Sequence, residues 1–587
     1  MQALILLLPL LFAIAAVRFV RKDYTRYIAL IGSLTSLVLL VFISSGSYTI
    51  QLLNLGSYSL QISTNIAGIN LMLLGIVLGI APLVIFYSFG YMNIRSEQRR
   101  FYIEILAFEA AMLLFAMSYS FITLFIAWEF LSLTSYMLIG FWYEKESANK
   151  AARKAITTVF IGDICILAVI AIILSIAGTV NFNSAFAALQ TRPGIDAIVA
   201  VLMIIAIFTK SAQFPFSEWL PDAMEGPTPV SAFLHSSTMV KAGIFAFVIL
   251  LPIFSQVGFN SFIFYIAFIT VVLATLNALK EKHVKRIIAY STVQELGLMM
   301  LAISAGAVAA GVYFFFAQSF YKVLLFFSSG AIMEATEKTS IDETSGLKVN
   351  KIVYISTLFG ILALAGFIPF DGFFASIGIG ASFAGNIFIF AILSIIGMFT
   401  SIYAFRWMFL NSKKASPATI TRYTSMPKSM VYSMVISAIL TLIASAGFFY
   451  LGTFLFGNVY NGIGVAALNT TDILIESLIA IIGLIIAYII YKKALRINST
   501  FLSEVMNNGV IVNKAYEYFA AGLYGIAEGA FLFEESLSRL LDSFGIMFID
   551  IAKLIRKASV GDINLYAIML AVGIIILFVF VYIISGV

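Results

Sequence analysis

The sequence predicts an all-α polytopic membrane protein with about sixteen transmembrane helices, and three observations carry that reading. Hydrophobic residues fill 61% of the 587 positions and charged residues 11%, against roughly 25% charged in an ordinary soluble domain. Mean hydropathy is +1.04, which is more apolar surface than one core can bury in water. Basic residues gather in alternate loops between long apolar runs, the signature of a chain threaded back and forth through a bilayer.

In chain order, residues 1–100 hold three spans, at 2–20, 27–45 and 66–90. Met1 leads directly into apolar sequence, with no basic n-region and no small-residue cleavage site. The first span is therefore expected to be a retained helix rather than a signal peptide. Residues 101–251 hold spans at 101–117, 119–142, 155–178, 196–216 and 229–251, and residues 259–410 hold spans at 259–279, 286–303, 308–333, 351–377 and 381–410. Two more, 429–457 and 472–491, fill 429–491, and the last lies at 564–586, within 564–587.

The loops test this register. Arg18, Arg21, Lys22 and Arg26 follow the first span, and Arg95, Arg99 and Arg100 the third. Lys145, Lys150, Arg153 and Lys154 follow the fifth; Lys280, Lys282, Lys285 and Arg286 follow the ninth; Lys413, Lys414, Arg422 and Lys428 follow the thirteenth. The intervening loops, such as 46–65 and 252–262, carry almost no Lys or Arg. Odd-to-even loops are therefore expected in the cytoplasm and both termini outside, in a prokaryotic cytoplasmic or organellar inner membrane.

Two spans are interrupted alike, the seventh at Pro215 and the twelfth at Pro369 in GFIPFDGFF. They lie five spans apart, so the five-span units around them face opposite ways. Paired Pro-interrupted segments point to an inverted repeat with its functional sites at the breaks. Pro215 cannot donate to the Ser211 carbonyl, which is expected to leave that oxygen free to hold water or an ion. The alternative is two unrelated packing kinks.

The stretch 497–560 differs. From Lys514 through Glu517, Glu528, Glu535, Arg539, Asp542, Asp550, Lys553 and Lys557 its charges form one stripe on an otherwise apolar helix. Such a helix is too charged to span and too apolar to float, so it is expected to lie along the membrane or against neighbouring subunits.

Composition excludes several chemistries. A single cysteine, Cys165, rules out disulfides, thiolate zinc sites and Cys-ligated clusters, and two histidines argue against haem or a dinuclear metal. No Walker or dinucleotide glycine fingerprint is present. No cofactor or metal site and no redox centre is expected within the chain. The net charge of +6 has no basic face interleaved with aromatics, so nucleic acid is not an expected partner and lipid is.

What remains are ionisable residues at mid-span, which cost at least about 2.5–3.5 kcal/mol to insert and are functional candidates for that reason. They are Glu129 in the fifth span, Asp163 in the sixth, Lys210 in the seventh, His235 and Lys241 in the eighth, Glu295 in the tenth and Lys322 in the eleventh. Asp371 follows the second break. Burial disfavours a charged amine and a nearby carboxylate favours it. Moving Glu129 relative to Lys210 would switch that lysine between holding and releasing a proton. The alternative is a static Glu129–Lys210 ion pair that joins helices. His235 suits a proton shuttle, or a structural bond to a broken-helix carbonyl. Asp163 suits a relay from the cytoplasmic side, or a pair with a loop base.

Three stretches, WEFLSLTSYMLIGFWYEKESANKAARKA, KSAQFPFSEWLPDAMEGPTPVSAFLHSSTMVKAG and KRIIAYSTVQELG, closely resemble the antiporter-like proteins of respiratory complex I and of Mrp-type cation/proton antiporters. The late amphipathic helix followed by one span resembles the L-type subunit, the mitochondrial subunit 5 homologue. The resemblance implies fourteen core helices in two inverted five-helix units, plus a lateral helix that clasps other membrane-arm subunits. It also implies proton translocation driven by a peripheral redox arm, with flavin, iron–sulfur clusters and quinone held in partner subunits. By motif, Glu129, Asp163, Lys210, His235 and Lys322 match the family's relay positions.

Some positions depart from the pattern. GFFAS places Ser376 where a lysine is usual; Phe314 and Gln318 replace histidines, and Phe160 an arginine. Glu295 stands where glutamine is common, and Lys241 looks more like the Mrp and membrane-hydrogenase relatives. The leading expectation is a proton-translocating subunit of a complex I-like NADH (or other donor):quinone oxidoreductase. The alternatives are a large subunit of an Mrp-type Na+/H+ antiporter or membrane-bound hydrogenase, and a structural arm without a working pump.

Overall fold

Prolines, glycines and polar caps decide where the apolar runs start and stop. The computed structural model describes residues 2–55, 58–93, 97–456 and 470–492. These fall within one unit, Met1–Gly509. The segments 497–560 and 564–587, read above as the lateral helix and the last span, lie outside the described residues.

Pro9 sits in the first turn of α1 (Leu8–Phe19), where a missing N–H costs nothing. α2 (Lys22–Phe42) follows and packs on it. The chain is not purely helical, contrary to the all-α expectation. Strands β1 (Gly46–Leu55) and β2 (Tyr58–Ile66) form an antiparallel hairpin. Its signal is period-2 alternation in the loop 46–65: Ser47, Thr49 and Gln51, then Ser59, Gln61, Ser63 and Asn65. Bridges from Thr64 to Ser118 and from Ser59 to Thr179 seat the hairpin over two helix junctions.

Next come α3 (Gly68–Tyr91), α4 (Gln98–Ala116), α5 (Phe121–Ile139), capped by the Ser120 hydroxyl, and α6 (Glu146–Ala177), closed by Gly178 in the left-handed region. A short α7 (Phe182–Gln190) leads to α8 (Ile195–Lys210). One turn, α9 (Trp219–Asp222), precedes α10 (Thr228–Ser236) and α11 (Met239–Val257). The eighth predicted span is thus two helices, broken at Ser237 and Thr238. The second half runs α12 (Asn260–Lys280), α13 (Val284–Ser304), α14 (Val308–Thr336), α15 (Lys351–Leu364), α16 (Asp371–Ser382) and α17 (Ile387–Asn411). The twelfth span is likewise two helices, parted around Pro369. A short α18 (Pro417–Thr424), α19 (Lys428–Phe456) and α20 (Thr470–Ala487) end the described chain.

By length and composition, eleven described helical segments can cross a membrane. The chain is a mostly helical integral membrane protein. α6 packs on α8, α8 on α11, α12 on α13, α13 on α14, α14 on α16, and α17 on α20. That order buries the break at Ser237 and Thr238 together with Ser211 and Gln213 of the first break, while Pro215, Ile368 and Pro369 are exposed.

Candidate functional site

The first break explains how Lys210 is held. α8 ends at Lys210 itself, five residues before Pro215, with Ala212 in the left-handed region. The Ser211 carbonyl is not free, as the sequence suggested: it accepts from Gln213 Nε2 at 2.9 Å. The Thr209 carbonyl accepts from Trp219 Nε1 at 2.9 Å. Side chains of the broken stretch itself replace the lost ladder bonds. The peptide bonds preceding Pro215 and Pro369 are both cis.

The Lys210 ammonium is fully buried. It donates to the Trp128 carbonyl at 3.2 Å and to Ser132 Oγ at 2.8 Å, and lies over the Trp128 ring at 4.8 Å. Trp128 Nε1 in turn donates to Asp163 Oδ1 at 2.7 Å. Asp163 reaches this cluster because Gly162 lets α6 close on α8. A Cβ at Gly162 would stand 2.8 Å from the Ala206 Cα and collide with Thr209 Oγ1. The static Glu129–Lys210 ion pair is not formed; Glu129 is half-buried, and the lysine's direct partners are Trp128 and Ser132.

The second break lies between α10 and α11. Ser237 and Thr238 hydroxyls both donate to the Phe233 carbonyl, at 3.2 and 2.6 Å. His235 is fully buried beside Trp219, and neither ring nitrogen has a partner among the described residues. The structural alternative, a bond to a broken-helix carbonyl, is therefore not made. One turn before it on α10, Ser231 faces the buried Lys285, whose Nζ is 2.7 Å from the Gly226 carbonyl and 3.3 Å from Ser231 Oγ. Sequence reading placed Lys285 among the loop charges. Its position one residue inside α13, before Ile287 and Ile288, was the available signal.

Lys241 opens α11. Its Nζ donates to the Phe315 carbonyl and to Ser319 Oγ, each at 2.5 Å, and lies 4.8 Å from the Phe315 ring centre. Ser211 Oγ donates to the Val240 carbonyl at 2.9 Å. The neighbours of Lys210 and Lys241 are thus hydrogen-bonded to each other, and the two lysine sites abut. One turn along α14 from Ser319, Lys322 pairs with Glu295 at 3.0 Å and donates to Ser291 Oγ at 2.5 Å. Gln318 Nε2 donates to the same Glu295 oxygen at 2.9 Å. Asp371, fully buried at the start of α16, accepts from the Gly372 N–H at 2.9 Å, and its second oxygen has no partner among the described residues. Lys241, Lys322, Glu295 and Asp371 form one electrostatic group, two bases against two acids.

The arrangement can hold protons at three buried lysines without leaving any of the three unpartnered. An ammonium only donates, a neutral amine must accept, and a serine hydroxyl does either. Lys210 has Ser132, Lys241 has Ser319 and Lys322 has Ser291. No group of three or more His, Cys, Asp or Glu suited to a metal occurs among the described residues.

Comparisons with known proteins show what the chain is similar to. The profile of the family described as NADH:quinone oxidoreductase/Mrp antiporter, TM matches residues 118–402, and that of NADH-ubiquinone oxidoreductase (complex I), chain 5 N-terminus matches 52–102. The chain is 34% identical to NADH-quinone oxidoreductase subunit L of Campylobacter jejuni over 475 residues, 78% of this chain and 77% of that one. It is 31% identical to Na(+)/H(+) antiporter subunit A1 of Staphylococcus aureus, over 69% of this chain and 54% of that one. In three dimensions it resembles a chain of the Mrp complex from a Dietzia species, with a TM-score of 0.72 at 22% identity, over 90% of this chain and 60% of that one.

Proposed function

Because the chain belongs to the NADH:quinone oxidoreductase/Mrp antiporter transmembrane family, we propose that it is a proton-translocating membrane-arm subunit of a complex I-like oxidoreductase. The observation that carries this is the run of buried bases from Lys210 through Lys241 to Lys322, each on a serine hydroxyl, with Asp163 and Glu295 as counter-acids. A static scaffold gains little from such a row, since buried ion pairs scarcely repay their desolvation.

Charge moves through it by local steps. A proton leaving Lys210 turns the amine into an acceptor, and Ser132 swings its hydrogen from the Trp128 carbonyl to the nitrogen. The same exchange at Ser319 serves Lys241. Lys322 then gains or loses its proton against Glu295, whose negative charge favours the loaded lysine. Glu129, half-buried beside this cluster, biases Lys210 by its distance. His235, between the Lys285 end of α10 and the break before Lys241, is placed to pass a proton between them.

The wider organisation follows from the same reading. The chain makes sixteen spans, with 101–251 and 259–410 as inverted five-helix units; the helix interruptions at Pro215, between α8 and α9, and at Pro369, between α15 and α16, support this. Both termini lie outside, as the loop charges indicate. The stripe of charges in 513–557 grips neighbouring membrane subunits, and flavin, iron–sulfur clusters and quinone reside in partner subunits.

A second reading, a large subunit of an Mrp-type antiporter or a membrane-bound hydrogenase, is favoured by the buried Lys241 on α11. Proton uptake by membrane vesicles carrying the assembled complex, driven by its native electron donor, tests both. Loss of uptake in Lys210→Ala and Lys322→Ala, with assembly intact, supports the first. Unchanged proton stoichiometry in both overturns it. Sodium-dependent flux without quinone reduction selects the second.

A further inference from the structure

We infer that Glu476 on α20 is a proton-carrying residue that exchanges protons with the Glu295–Lys322 pair through a cavity in the second half of the chain. This rests on the function proposed above and adds a residue and a route to it.

α20 is an apolar helix, TTDILIESLIAIIGLIIA, in which Glu476 stands within two turns of the N-terminal end. A carboxylate there is costly unless it faces protein or water. It does face inward: the helix is fixed against α17 by the Ser401 hydroxyl donating to the Ala480 carbonyl at 2.9 Å. Glu476 and Glu295 both line a cavity of about 60 Å³. That is room for a short file of waters, each needing roughly 10–15 Å³. The walls offer such waters polar partners in Gln294, Tyr321, Ser376 and Thr400.

Gly380 shapes the site from α16. A Cβ on it would stand 3.0 Å from Glu476 Oε1, so the bare glycine gives the carboxylate its place. No hydrogen bond or ion pair of Glu476 occurs among the described residues, which frees it to load and unload. The charged groups around the route are Glu295, Lys322, Asp371 and Lys241 on one side and Asp472, one turn away on α20, on the other. In the transfer one proton leaves Lys322 or the Glu295 carboxyl, passes along the cavity and lands on the Glu476 carboxylate. Glu476 is neutral when loaded and negative once it has released the proton.

Two measurements on the assembled complex in native membrane vesicles test this. In the first, Glu476→Gln lowers donor-driven proton uptake per complex on the order of tenfold or more, Glu476→Asp restores most of it, and Gly380→Val reproduces the loss by filling the cavity. In the second, a hydrophobic carbodiimide, which attacks protonated carboxyls in apolar surroundings, labels Glu476 in the unmodified complex, as read by peptide mass spectrometry. Normal uptake in Glu476→Gln while Lys322→Ala fails, or absence of the label, overturns the inference and leaves the proposed function standing. Normal uptake in both Glu476→Gln and Lys322→Ala overturns the proposed function and this inference with it.

Discussion

Lys210 and Lys241 are docked in the same way on different helices. Each ammonium donates to a carbonyl and to the serine four residues further on, Trp128 and Ser132 for one, Phe315 and Ser319 for the other. Each lies 4.8 Å from the centre of that first residue's ring. One helical turn of the partner thus supplies a carbonyl, a π face and a hydroxyl. Only the hydroxyl serves both protonation states of the amine. Ser132→Ala and Ser319→Ala therefore leave the neutral amine a hydrogen bond short, about 1–1.5 kcal/mol. Each should slow proton uptake roughly tenfold, less than the corresponding Lys→Ala. Initial rates in vesicles, normalised to assembled complex, check this; rates equal to the unmodified complex would refute the hydroxyl's part.

Gly162 sets how closely α6 approaches α8. Gly162→Ala drives a methyl into Thr209 and the Ala206 backbone. Overpacking of this kind costs about 1–3 kcal/mol. A lower melting temperature of the purified complex is expected, together with weaker proton uptake because Asp163 withdraws from Trp128. Asp163→Asn should reduce uptake without the loss of melting temperature, which separates packing from charge.

His283 carries a pH dependence outside the spans. Its Nδ1 accepts from the Lys285 N–H at 3.2 Å and caps α13. Burial, then the Lys285 and Arg286 charges, push its pKa down to about 3. An unfolded histidine titrates near 6.5, so the unfolded chain binds the extra proton first. Stability conferred by the neutral cap is complete above about 6.5 and declines as pH falls toward 3, by at most about 1.4 kcal/mol per pH unit. Melting curves at pH 7.5 and 5.5 should show a drop that His283→Asn, which keeps a capping oxygen, makes smaller.

The apolar runs were legible because bilayer thickness imposes a minimum length on a span. Lys210, Lys241, Glu295 and Lys322 were legible because a charge inside such a run stands out. Partners were not. Glu129 looked like the mate of Lys210, yet the carbonyl of its neighbour Trp128 takes the ammonium, since backbone acceptors and serines leave no mark in a hydropathy pattern. Lys285 hid among loop charges because the end of a helix and its first buried turn share one composition. The hairpin at 46–66 hid because its polar face, from Ser47, Thr49 and Gln51 to Ser59, Gln61, Ser63 and Asn65, shares the composition of a loop between two long apolar runs. Glu476 hid because one acid near the end of a strongly apolar helix reads as a tolerated exception until the cavity beside it is seen.

Lys322 and Glu295 allow charge balance to be separated from transport. They pair at 3.0 Å with both side chains buried. Glu295→Gln alone leaves a buried ammonium uncompensated, and breaking a buried pair costs about 3–5 kcal/mol. Lys322→Met alone leaves Glu295 with Gln318 but without its cation, a similar loss. Replacing both removes the two desolvation penalties together, so Glu295→Gln with Lys322→Met should be more stable than either single variant and close to the unmodified complex. Proton uptake behaves differently: it stays abolished in the double variant, because no titrating group remains at that step. Melting temperature recovering while uptake does not would assign the pair to transport. Recovery of both would mean that the pair only holds α13 to α14.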